Sequence, residues 1–570
     1  MPEVITDNLG LWSSALLIRS TAGRGSNNKL EAYGIKKLRE LILELAVRGK
    51  LVPQDANDEP ASALLPKVLK ENSRLFKERN KKQNEAPEIT DGEITFHLPK
   101  GWEYVRNGSL FSLRKGKKPT NISESEIGLP YLDIEALDRN NVLRFTDDEK
   151  CPRATEADIL VVCDGSRSGL VLDGKNGVIG STLAVIDTPK LIQPFIKLLF
   201  MESYERMNST MKGAAIPHLD TNHLILEVVG LPPLNEQHRI VVKVDELMAL
   251  CDQLEQQQTH SLAAHQTLVA SLLGTLTSVE SQQEFSEAWA RIASHFDTLF
   301  TTEASIDQLK QTILQLAVMG KLVAQDPNDE PASVLLKRIS KEKTELENEG
   351  QIKKQKTLPA INEGERLYAL PDGWEWVRFG ELIQSFTNGL YKKESFYSDT
   401  GVISLRMYNI QSGVIDFAGV RRVNVTDYEL TQYALEPGDL LINRVNSKEL
   451  VGKTAIIPEC TEPLLFESMN MRAKPYKAHL DSEYLNLYMK TEIAKIILLS
   501  HAKEAISQAS LNQGQISSLP VPLPPKNEQH HIVSKLDELM ALCDTLKARL
   551  AEAQDIQLHL ADAIVEQAVC

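Results

Sequence analysis

The sequence is poor in the features that mark secreted and membrane proteins. Its six cysteines are scattered over 570 residues without a CxxC pair, a usage typical of a reducing compartment rather than of a disulfide framework. No apolar run approaches the roughly 20 residues that a membrane helix needs, and the amino-terminal segment lacks the basic start of a signal peptide. The sequence therefore predicts a soluble, cytoplasmic protein that does not associate with membranes.

Motifs for catalysis are also missing. The chain has no GxxxxGK[ST] phosphate loop, no GxGxxG turn, no HExxH zinc motif and no Asn-Pro-Pro-aromatic motif of an amino-methyltransferase. Residues 165–169 read GSRSG, with arginine at the centre where a nucleophile elbow needs serine. His238, His530 and His531 fall in the first turn of predicted helices and are better explained as surface or interface histidines than as ligands. The sequence predicts no catalytic residue, no metal site and no cofactor in this chain.

Basic residues are fewer than acidic ones. The chain has 63 Lys and Arg against 78 Asp and Glu, a formal net charge of −15. Such a balance argues against a protein that coats an anionic polymer over its whole surface. The acidic excess is unevenly distributed along the chain, because residues 100–230 hold 16 basic and 18 acidic side chains and are close to neutral. A local basic groove is therefore compatible with the composition.

Three motifs occur twice, in the same order. Residues 231–254 and 523–546 are identical at 19 of 24 positions, and residues 46–65 and 317–336 at 16 of 20. The third motif is a Leu-Pro-x-Gly-Trp-Glu turn before a predicted strand. Identity at this level excludes chance, so the chain is a tandem duplication.

Each copy of the 24-residue motif predicts the start of a long helix. Its Pro-Pro pair ends the preceding element, since neither ring can donate to a ladder. Asn235 and Asn527 suit an N-cap, and Glu236 and Glu528 fall in the first turn, where the helix dipole favours negative charge. Apolar residues then recur at helical spacing on one face. We expect this face to pair the two helices or to dock a partner; it comprises Ile240, Val244, Leu247, Cys251 and Leu254 in the first copy and Ile532, Leu536, Leu539, Cys543 and Leu546 in the second.

Two globular segments lie between the repeated motifs. Trp102 and Trp374 open them as expected core anchors, and Ile159–Cys163 and Leu440–Asn443 are strand-like runs at corresponding places. Helix-like segments follow, so the pattern predicts an α+β fold. Constant borders around divergent interiors are expected when two like modules recognise different targets. In chain order, the predicted segments are a loose amino-terminal tail (1–28), a helical segment with a basic linker (29–96), a first module (97–232), a central long helix (233–275), a helical connector (276–302), a repeated helical segment with a basic linker (303–367), a second module (368–524) and a distal long helix (525–570).

The module interiors contain loops rich in side chains that contact nucleic acid. Arginine and lysine can bond to guanine, asparagine and glutamine to adenine, and serine, lysine and backbone amides to phosphate. Arg167 and Arg444 follow the two corresponding strands and are the strongest candidates, although each loop alone is as well explained as polar surface. The phosphate candidates are Lys117, Lys118, Lys392 and Lys393. The other candidates are Arg114, Lys115, Ser166, Ser168, Lys175, Lys212 and His218 in the first module and Asn388, Tyr391, Arg406, Tyr408, Asn409, Asn446, Lys448, Lys453, Gln508 and Asn512 in the second.

The duplicated motifs resemble those of the specificity (S) subunit of type I restriction–modification enzymes. The resemblance rests on the two Leu-Pro-x-Gly-Trp turns, the two Pro-Pro-x-Asn-Glu-Gln motifs and the repeated segment with Asn-Asp-Glu-Pro-Ala-Ser, and it covers the chain from about Leu30 onward. It implies two α/β target recognition domains separated by long antiparallel, coiled-coil helices in a pseudo-two-fold tandem repeat. Each domain would read one half of a bipartite site in double-stranded DNA, as part of a phage-defence restriction system.

The resemblance also implies partners and cofactors. Such a subunit docks two methyltransferase subunits and, in the full complex, two restriction (motor) subunits. S-adenosylmethionine, ATP and Mg²⁺ would act in those partners and not in this chain. The geometry agrees, since a helix of about 40 residues at roughly 1.5 Å each spans about 60 Å, more than one DNA turn of roughly 34 Å. The alternative is a coiled-coil scaffold with two protein- or glycan-binding modules, whose binding would be insensitive to salt, unlike binding to DNA.

Overall fold

Two compact units make up the chain. The computed structural model describes residues 3–19, 29–78, 87–94, 96–209, 219–279, 281–505 and 508–569. Unit 1 comprises residues 1–262 and 552–570, and unit 2 comprises residues 263–551. The closing segment of the chain therefore belongs to the same unit as its beginning.

Unit 1 combines helices with short strands, and its longest helix continues into unit 2. The helices are α1 (Glu3–Thr6), α2 (Leu9–Ser14), α3 (Tyr33–Val47), α4 (Ala61–Glu78), α5 (Asn107–Leu110), α6 (Ile134–Asp138), α7 (Gln193–Ser209), α8 (Thr221–Leu226) and α9 (Leu234–Ser278), with a 3-10 turn at Asp91–Glu93. The strands are β1 (Leu17–Arg19), β2 (Lys29–Glu31), β3 (Glu103–Arg106), β4 (Ser112–Lys115), β5 (Leu129–Leu132), β6 (Phe145–Thr146), β7 (Arg153–Ala154), β8 (Ile159–Val162), β9 (Val171–Asp173), β10 (Gly177–Ile179), β11 (Leu183–Asp187) and β12 (Val228–Leu231).

Unit 2 repeats this plan, and its last helix ends within unit 1. The helices are α10 (Gln282–Ser294), α11 (Phe296–Leu299), α12 (Glu303–Val318), α13 (Ala332–Asn348), α14 (Asp427–Tyr433), α15 (Ser482–Met489), α16 (Glu492–His501), α17 (Gln513–Ser517) and α18 (Lys526–Val569). Short 3-10 turns lie at Glu363–Glu365, Phe379–Leu382, Glu394–Phe396 and Met407–Asn409. The strands are β13 (Glu375–Arg378), β14 (Ile383–Asn388), β15 (Tyr397–Ser398), β16 (Val402–Leu405), β17 (Ile410–Gln411), β18 (Val414–Ile415), β19 (Arg421–Val423), β20 (Leu440–Asn443), β21 (Val445–Asn446), β22 (Thr454–Ile456), β23 (Leu464–Phe466), β24 (Asn470–Pro475), β25 (Lys503–Ala505), β26 (Gln508–Ser510) and β27 (Pro520–Leu523).

The two modules, module 1 (97–232) and module 2 (368–524), have matching strand topologies. In each, the first strand pairs antiparallel with the last, β3 with β12 and β13 with β27. A four-stranded antiparallel sheet follows, in the order β4-β11-β8-β9 in module 1 and β14-β24-β20-β22 in module 2. A second sheet contains one parallel pair, β5 with β10 and β16 with β23. The predicted α+β class and tandem repeat are confirmed.

The predicted strand at Ile159–Cys163 is apolar without a break because it lies between two hydrophobic cores. In β8, Ile159 and Val161 belong to one core, and Leu160 and Val162 to another. Alternate residues of a strand point to opposite faces, so a strand covered on both faces needs apolar residues at every position. Strand β20 is buried along its whole length in the same way.

A buried carboxylate joins the three repeated motifs of unit 1. The indole Nε1–H of Trp102 donates to Oε2 of Glu236 at 3.0 Å, and the Gln54 amide donates to Oε1 at 2.8 Å. Gln54 also donates to the Gly49 carbonyl, and Gly49 has φ +68 where an added Cβ would lie 2.7 Å from the Trp102 ring. Burial raises the pKa of Glu236, while the bonds from Gln54 and Trp102 oppose that shift. Because buried donors need acceptors, this junction holds a loop, a strand and a helix together.

Unit 2 contains the same junction. Trp374 donates to Oε2 of Glu528 at 2.9 Å, and Gln325 donates to Oε1 at 3.0 Å. Burial is again the main cause that raises the pKa of the glutamate. Both tryptophans are buried, as predicted for core anchors, and each meets an aromatic ring of its module edge-on. The duplication therefore preserves a hydrogen-bonded frame as well as a sequence.

The apolar face of each long helix packs inside its own unit. Ile240, Val244, Leu247 and Cys251 share one core with α3, and Leu254 packs against that core. Ile532, Leu536 and Cys543 lie in the core of unit 2, and Leu539 and Leu546 pack against it. Each of these cores also contains residues from the end of the other long helix. Our expectation that this face pairs the helices or docks a partner stays a prediction.

Both long helices begin one residue before the predicted N-cap. Helices α9 and α18 start at Leu234 and Lys526, so Asn235 and Asn527 lie in the first turn and are not caps. The Asn527 amide instead donates to Asp329 at 2.8 Å, and Asn235 bonds to Asp58. These bonds tie each helix start to the Asn-Asp-Glu-Pro turn of its unit.

A repeated lysine binds the carboxyl end of a long helix in each unit. Lys50 donates to the carbonyl of Val569 at 2.9 Å, within unit 1. Lys321 donates to the carbonyl of Val279 at 2.6 Å, within unit 2. The last carbonyls of a helix lack intrahelical donors and carry partial negative charge, so a lysine stabilises them. The two units are thus closed by equivalent contacts.

Residues 3–19 are not the loose tail that we expected. They form α1, α2 and β1, and the side chains of Ile5 and Trp12 are fully buried in the core of unit 1. Strand β1 pairs with β2, and the Gly34 N–H donates to the carbonyl of Ala15 at 3.0 Å. The apolar surface of these two side chains is sufficient reason for the segment to pack.

We expect Glu236→Ala to destabilise unit 1 by about 2 kcal/mol or more, because two buried donors lose their acceptor. Urea unfolding followed by tryptophan fluorescence measures the change. Glu246→Ala is the matched control, since this exposed glutamate of the same helix only pairs with Lys243 on the surface. Equal unfolding midpoints for the two variants would contradict a stabilising role for the junction.

Candidate nucleic-acid interface

One end of the four-stranded sheet gathers several predicted residues of module 1. Lys115 ends β4 and forms an ion pair with Asp164, which follows β8, at 3.2 Å. The Gly116 N–H donates to the carbonyl of Leu183, at the start of β11. The loops after β4 and β8 therefore meet at this end of the sheet, which carries Lys117, Lys118 and the turn of residues 165–169.

The corresponding end of the sheet in module 2 carries the equivalent loops. The Arg444 N–H, just after β20, donates to the carbonyl of Met469, just before β24. Gly389, just after β14, donates to the carbonyl of Asn470. Leu511 donates to the carbonyl of Arg444, which brings the predicted 508–513 loop to the same place. The sequence correspondence between Arg167 and Arg444 is thus also a correspondence in the fold.

Three predicted residues of module 1 make internal contacts. Arg114 donates to Asp187 at 3.0 Å and to the carbonyl of Arg153 at 2.7 Å, so its guanidinium stabilises the β4–β11 pair. Ser168 is buried and donates to the carbonyl of Gly165 at 2.8 Å within the turn. Lys175 donates to the carbonyl of Ala136 at 2.9 Å. These internal contacts give each of the three side chains a structural role that does not require nucleic acid.

Other candidates of module 1 are open to solvent. Lys117, Lys118 and Ser166 are exposed. Arg167 is half-exposed and donates to Asp138 at 2.8 Å, an ion pair that lowers the pKa of that carboxyl. A surface pair of this kind contributes little to stability, so its guanidinium can exchange partners. Lys212 and His218 lie outside the described residues.

Several candidates of module 2 also make internal contacts. Lys392 forms an ion pair with Glu429 at 2.7 Å and lies 4.6 Å from the centre of the Phe396 ring. Asn409 is buried, accepts from the Arg406 N–H at 2.9 Å and donates to the carbonyl of Asp416 at 2.8 Å. The remaining internal contacts are those of Asn446 with Asn443 at 2.9 Å and of Asn512 with the Gln515 N–H at 3.0 Å, where Asn512 caps α17.

The exposed candidates of module 2 include two aromatic rings. Tyr391 is 77% exposed and Tyr408 63% exposed. Exposed aromatics can stack on bases or lie against sugars, which ordinary polar surface does not provide. The other exposed candidates are Asn388, Lys393, Lys448 and Gln508. Lys453 is half-buried and lines a cavity beside this surface.

Arg406 and Arg444 are held by carbonyl groups. Arg444 donates to the carbonyl of Ser468 at 3.1 Å, and Arg406 donates to that of Gly419 at 2.9 Å. The Nε of each is buried without a hydrogen-bond partner. In the described part of the chain neither guanidinium forms an ion pair, so both retain charge that an anion or a guanine edge can use.

Sequence reasoning missed two residues of the turn between β23 and β24. Met469 is 41% exposed, and Glu467 accepts from the Tyr397 hydroxyl at 3.0 Å. Burial raises the pKa of Glu467, against the nearby Arg406 and Arg421. Met469 is apolar and Glu467 is acidic, so a selection of basic and amide side chains does not include them. The pairing of β24 with β14 and β20 places them at this end of the sheet, and the sequence does not show that pairing.

The described ranges contain neither a metal-ligand cluster nor a membrane-spanning helix. No group of three His, Cys, Asp or Glu side chains among those residues could hold a metal ion. No helix within them is long and apolar enough to cross a membrane.

A family model described as type I restriction modification DNA specificity domain matches residues 99–264 and 371–554. The chain belongs to this family. Each match covers one module except its first two or three residues, and the first part of the long helix that follows it. The family predicted from the duplicated motifs is confirmed, and the scaffold alternative finds no support.

Two curated relatives match this chain along its whole length. The type I restriction enzyme EcoAI specificity subunit of Escherichia coli is 40% identical over 100% of this chain and 99% of its own length. The EcoEI specificity subunit of the same species is 38% identical with the same coverage. Among solved structures, the HsdS subunit from Thermoanaerobacter tengcongensis is 20% identical over 84% of this chain and 98% of its own, with a TM-score of 0.40.

Substitution of two neighbouring candidates, one buried and one exposed, should change the stability of unit 2 by different amounts. We expect Asn409→Ala to destabilise unit 2 by about 2 kcal/mol, since it removes buried hydrogen bonds. Tyr408→Ala should change stability by roughly 0.5 kcal/mol or less, because the ring is exposed. Urea midpoints of the two variants check this. A larger loss for Tyr408→Ala would show that the ring supports the fold.

Proposed function

We propose that this chain is the non-catalytic recognition subunit of a type I restriction–modification complex. Each module reads one half of a bipartite sequence in double-stranded DNA. The candidate surface of each module is the end of its four-stranded sheet described above. Direct contacts come from side chains there that are exposed, from Arg406 and Arg444, which are held by carbonyl groups, and from Arg167, whose surface ion pair can exchange partners. The exposed ones are Lys117, Lys118 and Ser166 in module 1 and Asn388, Tyr391, Lys393, Tyr408, Lys448 and Gln508 in module 2.

One observation carries the proposal. The same backbone frame, with the same Trp–Glu–Gln junction, presents different side chains at equivalent places. Arg167 pairs with a carboxylate, whereas the Arg444 guanidinium donates to the carbonyl of Ser468 and has no carboxylate partner among the described residues. Tyr391 and Tyr408 contribute exposed rings to module 2. Two equal frames with unequal surfaces suit two half-sites of different sequence.

The partners follow from the relatives, which are named specificity subunits of type I restriction enzymes. We infer two methyltransferase subunits that carry S-adenosylmethionine, and two restriction subunits that use ATP and Mg²⁺. The net charge of −15 agrees with partners that supply much of the phosphate contact. Helices α9 and α18 set the spacer between the half-sites as antiparallel helices. A cytoplasmic location, where the DNA is, is part of the same proposal.

A module exchange tests the bipartite reading. The chain is co-expressed with its neighbouring methyltransferase, and methylated bases are mapped across a host genome. We expect a split motif, of which only one half changes when residues 100–230 are replaced by another module. A continuous motif would contradict the two-module reading, and a stable complex without methylation would favour a degenerate subunit.

A salt titration tests the phosphate contacts. We expect Lys117→Ala combined with Lys118→Ala to weaken binding of the methyltransferase complex to DNA. The slope of log affinity against log salt should fall by about 2, at roughly 0.9 per lost contact. Lys535→Ala is the control, since this lysine pairs with Glu538 on α18. An unchanged slope for the double variant would remove these lysines from the interface.

A further inference from the structure

Unit 2 contains a cavity of about 530 Å³ beside module 2. Its walls come from helices α12 and α16, the end of α15, the β17–β18 hairpin and the loop of residues 447–453, with Met540 of α18 at one side. Pockets for small ligands have volumes of roughly 300–1,000 Å³. The scaffold helices and the recognition module thus enclose one space of suitable size.

Hydrogen bonds hold the cavity walls in place. The hairpin turns at Ser412 and Gly413, both with positive φ. The Gly413 carbonyl accepts from the Asn486 amide at 2.9 Å, and the Asn486 Oδ1 accepts from the Thr454 hydroxyl at 2.9 Å. Asn486 is buried. A single buried amide therefore joins hairpin, helix and strand, so the space is formed before a ligand arrives.

Four lysines line this cavity, and two of them form no ion pair with any residue that the structure describes. Lys310 pairs with Asp544, and Lys495 lies 3.9 Å from Glu492. Within the described ranges, the ammonium groups of Lys453 and Lys490 form neither an ion pair nor a hydrogen bond. The lining carboxylate that is left, Glu449, is hydrogen-bonded to Ser447.

The cavity disfavours the charge of these two lysines. Burial away from water lowers the pKa of Lys453. Burial is also the main reason that the pKa of Lys490 is lowered. Repulsion from Lys310 lowers it further, while the carboxylates of Glu483 and Asp537 oppose the shift. Partly desolvated ammonium groups that form no ion pair are unfavourable, and an anion in the cavity would reduce that penalty.

The unpaired charge belongs to module 2 and not to the repeated frame. The position of Lys310 is taken in unit 1 by Arg39, which donates to Asp252 at 2.7 Å and to Glu255 at 3.2 Å. The basic side chain at this position of the repeated frame, Arg39 or Lys310, is therefore ion-paired in both units. Lys453 and Lys490 come from the divergent interior, as expected of a site that serves one module.

We propose that this cavity binds a phosphate ester through Lys453 and Lys490. The phosphate belongs either to the backbone of bound DNA or to a free molecule of nucleotide size. Two lysines suit phosphate as point charges that approach from different walls. The site goes beyond the recognition function, which the module exchange tests separately.

Binding of pyrophosphate to the purified full-length chain tests the proposal by titration calorimetry. We expect saturable binding that Lys453→Met and Lys490→Met each weaken about tenfold or more, the effect of losing one charge-assisted contact. Lys535→Met, on the surface of α18, should leave it unchanged. Absence of saturable binding, or equal loss in the control, would overturn the proposal.

A duplex oligonucleotide that carries the recognised sequence separates the two phosphate sources. If the source is DNA, pyrophosphate competes with the duplex, and the two variants lower the salt slope by about 1 each. If the source is a free molecule, duplex binding is unchanged while pyrophosphate binding is lost. Both results support a phosphate site and assign its ligand.

Chemical modification of the unmutated chain gives a test that does not depend on variant folding. Lysines with lowered pKa react readily with acylating reagents. We expect pyrophosphate to slow the acetylation of Lys453 and Lys490, read by mass spectrometry, and to leave Lys535 unaffected. Equal rates with and without pyrophosphate would overturn the proposal.

Discussion

The fold depends on one buried interaction that occurs twice, a glutamate that accepts hydrogen bonds from a tryptophan and a glutamine. The glutamate begins a long helix, the tryptophan begins a recognition module, and the glutamine lies in the loop after the first repeated helix. A carboxylate in this position is unfavourable unless both oxygens are bonded, and burial raises its pKa. Because each buried carboxylate accepts from both the tryptophan and the glutamine, the three segments are held in one arrangement. Each module is thereby oriented relative to the start of the helix that follows it.

That frame leaves the far end of each module free to change. The four-stranded sheets have the same order in both modules, and their buried central strands lie between two cores. Residues at the sheet end do not contribute to the junction. Some of them stabilise their own loops, as Arg114, Lys392 and Asn409 do. Others, such as Lys117 and Tyr391, are exposed. A recognition surface of this kind can diverge without loss of the frame that carries it.

The ends of the long helices close the two units by equivalent means. In unit 1, the chain terminus returns to α3, where Tyr33 donates to Asp562 at 2.8 Å and Lys50 binds the last described carbonyl. In unit 2, the end of α9 is bound by Lys321. Each unit thus contains the start of one long helix and the end of the other. The duplication of sequence is therefore also a duplication of helix ends and of the side chains that stabilise them.

The sequence by itself determined the duplication, the α+β class, the two long helices and the family, because repeated motifs and periodic apolar residues are local properties of the chain. It also indicated Trp102 and Trp374 as core residues, and both are buried. The acceptor of each tryptophan, the cover of the helix stripe and the packing of Trp12 were decided only by tertiary structure. Tertiary structure also decided which candidate DNA-binding side chains make internal contacts and which are exposed. The sequence does not show whether a carboxylate faces an arginine. Only the folded chain brings Asp187 to Arg114, while in the part of the chain that the structure describes Arg444 bonds to a carbonyl and to no carboxylate.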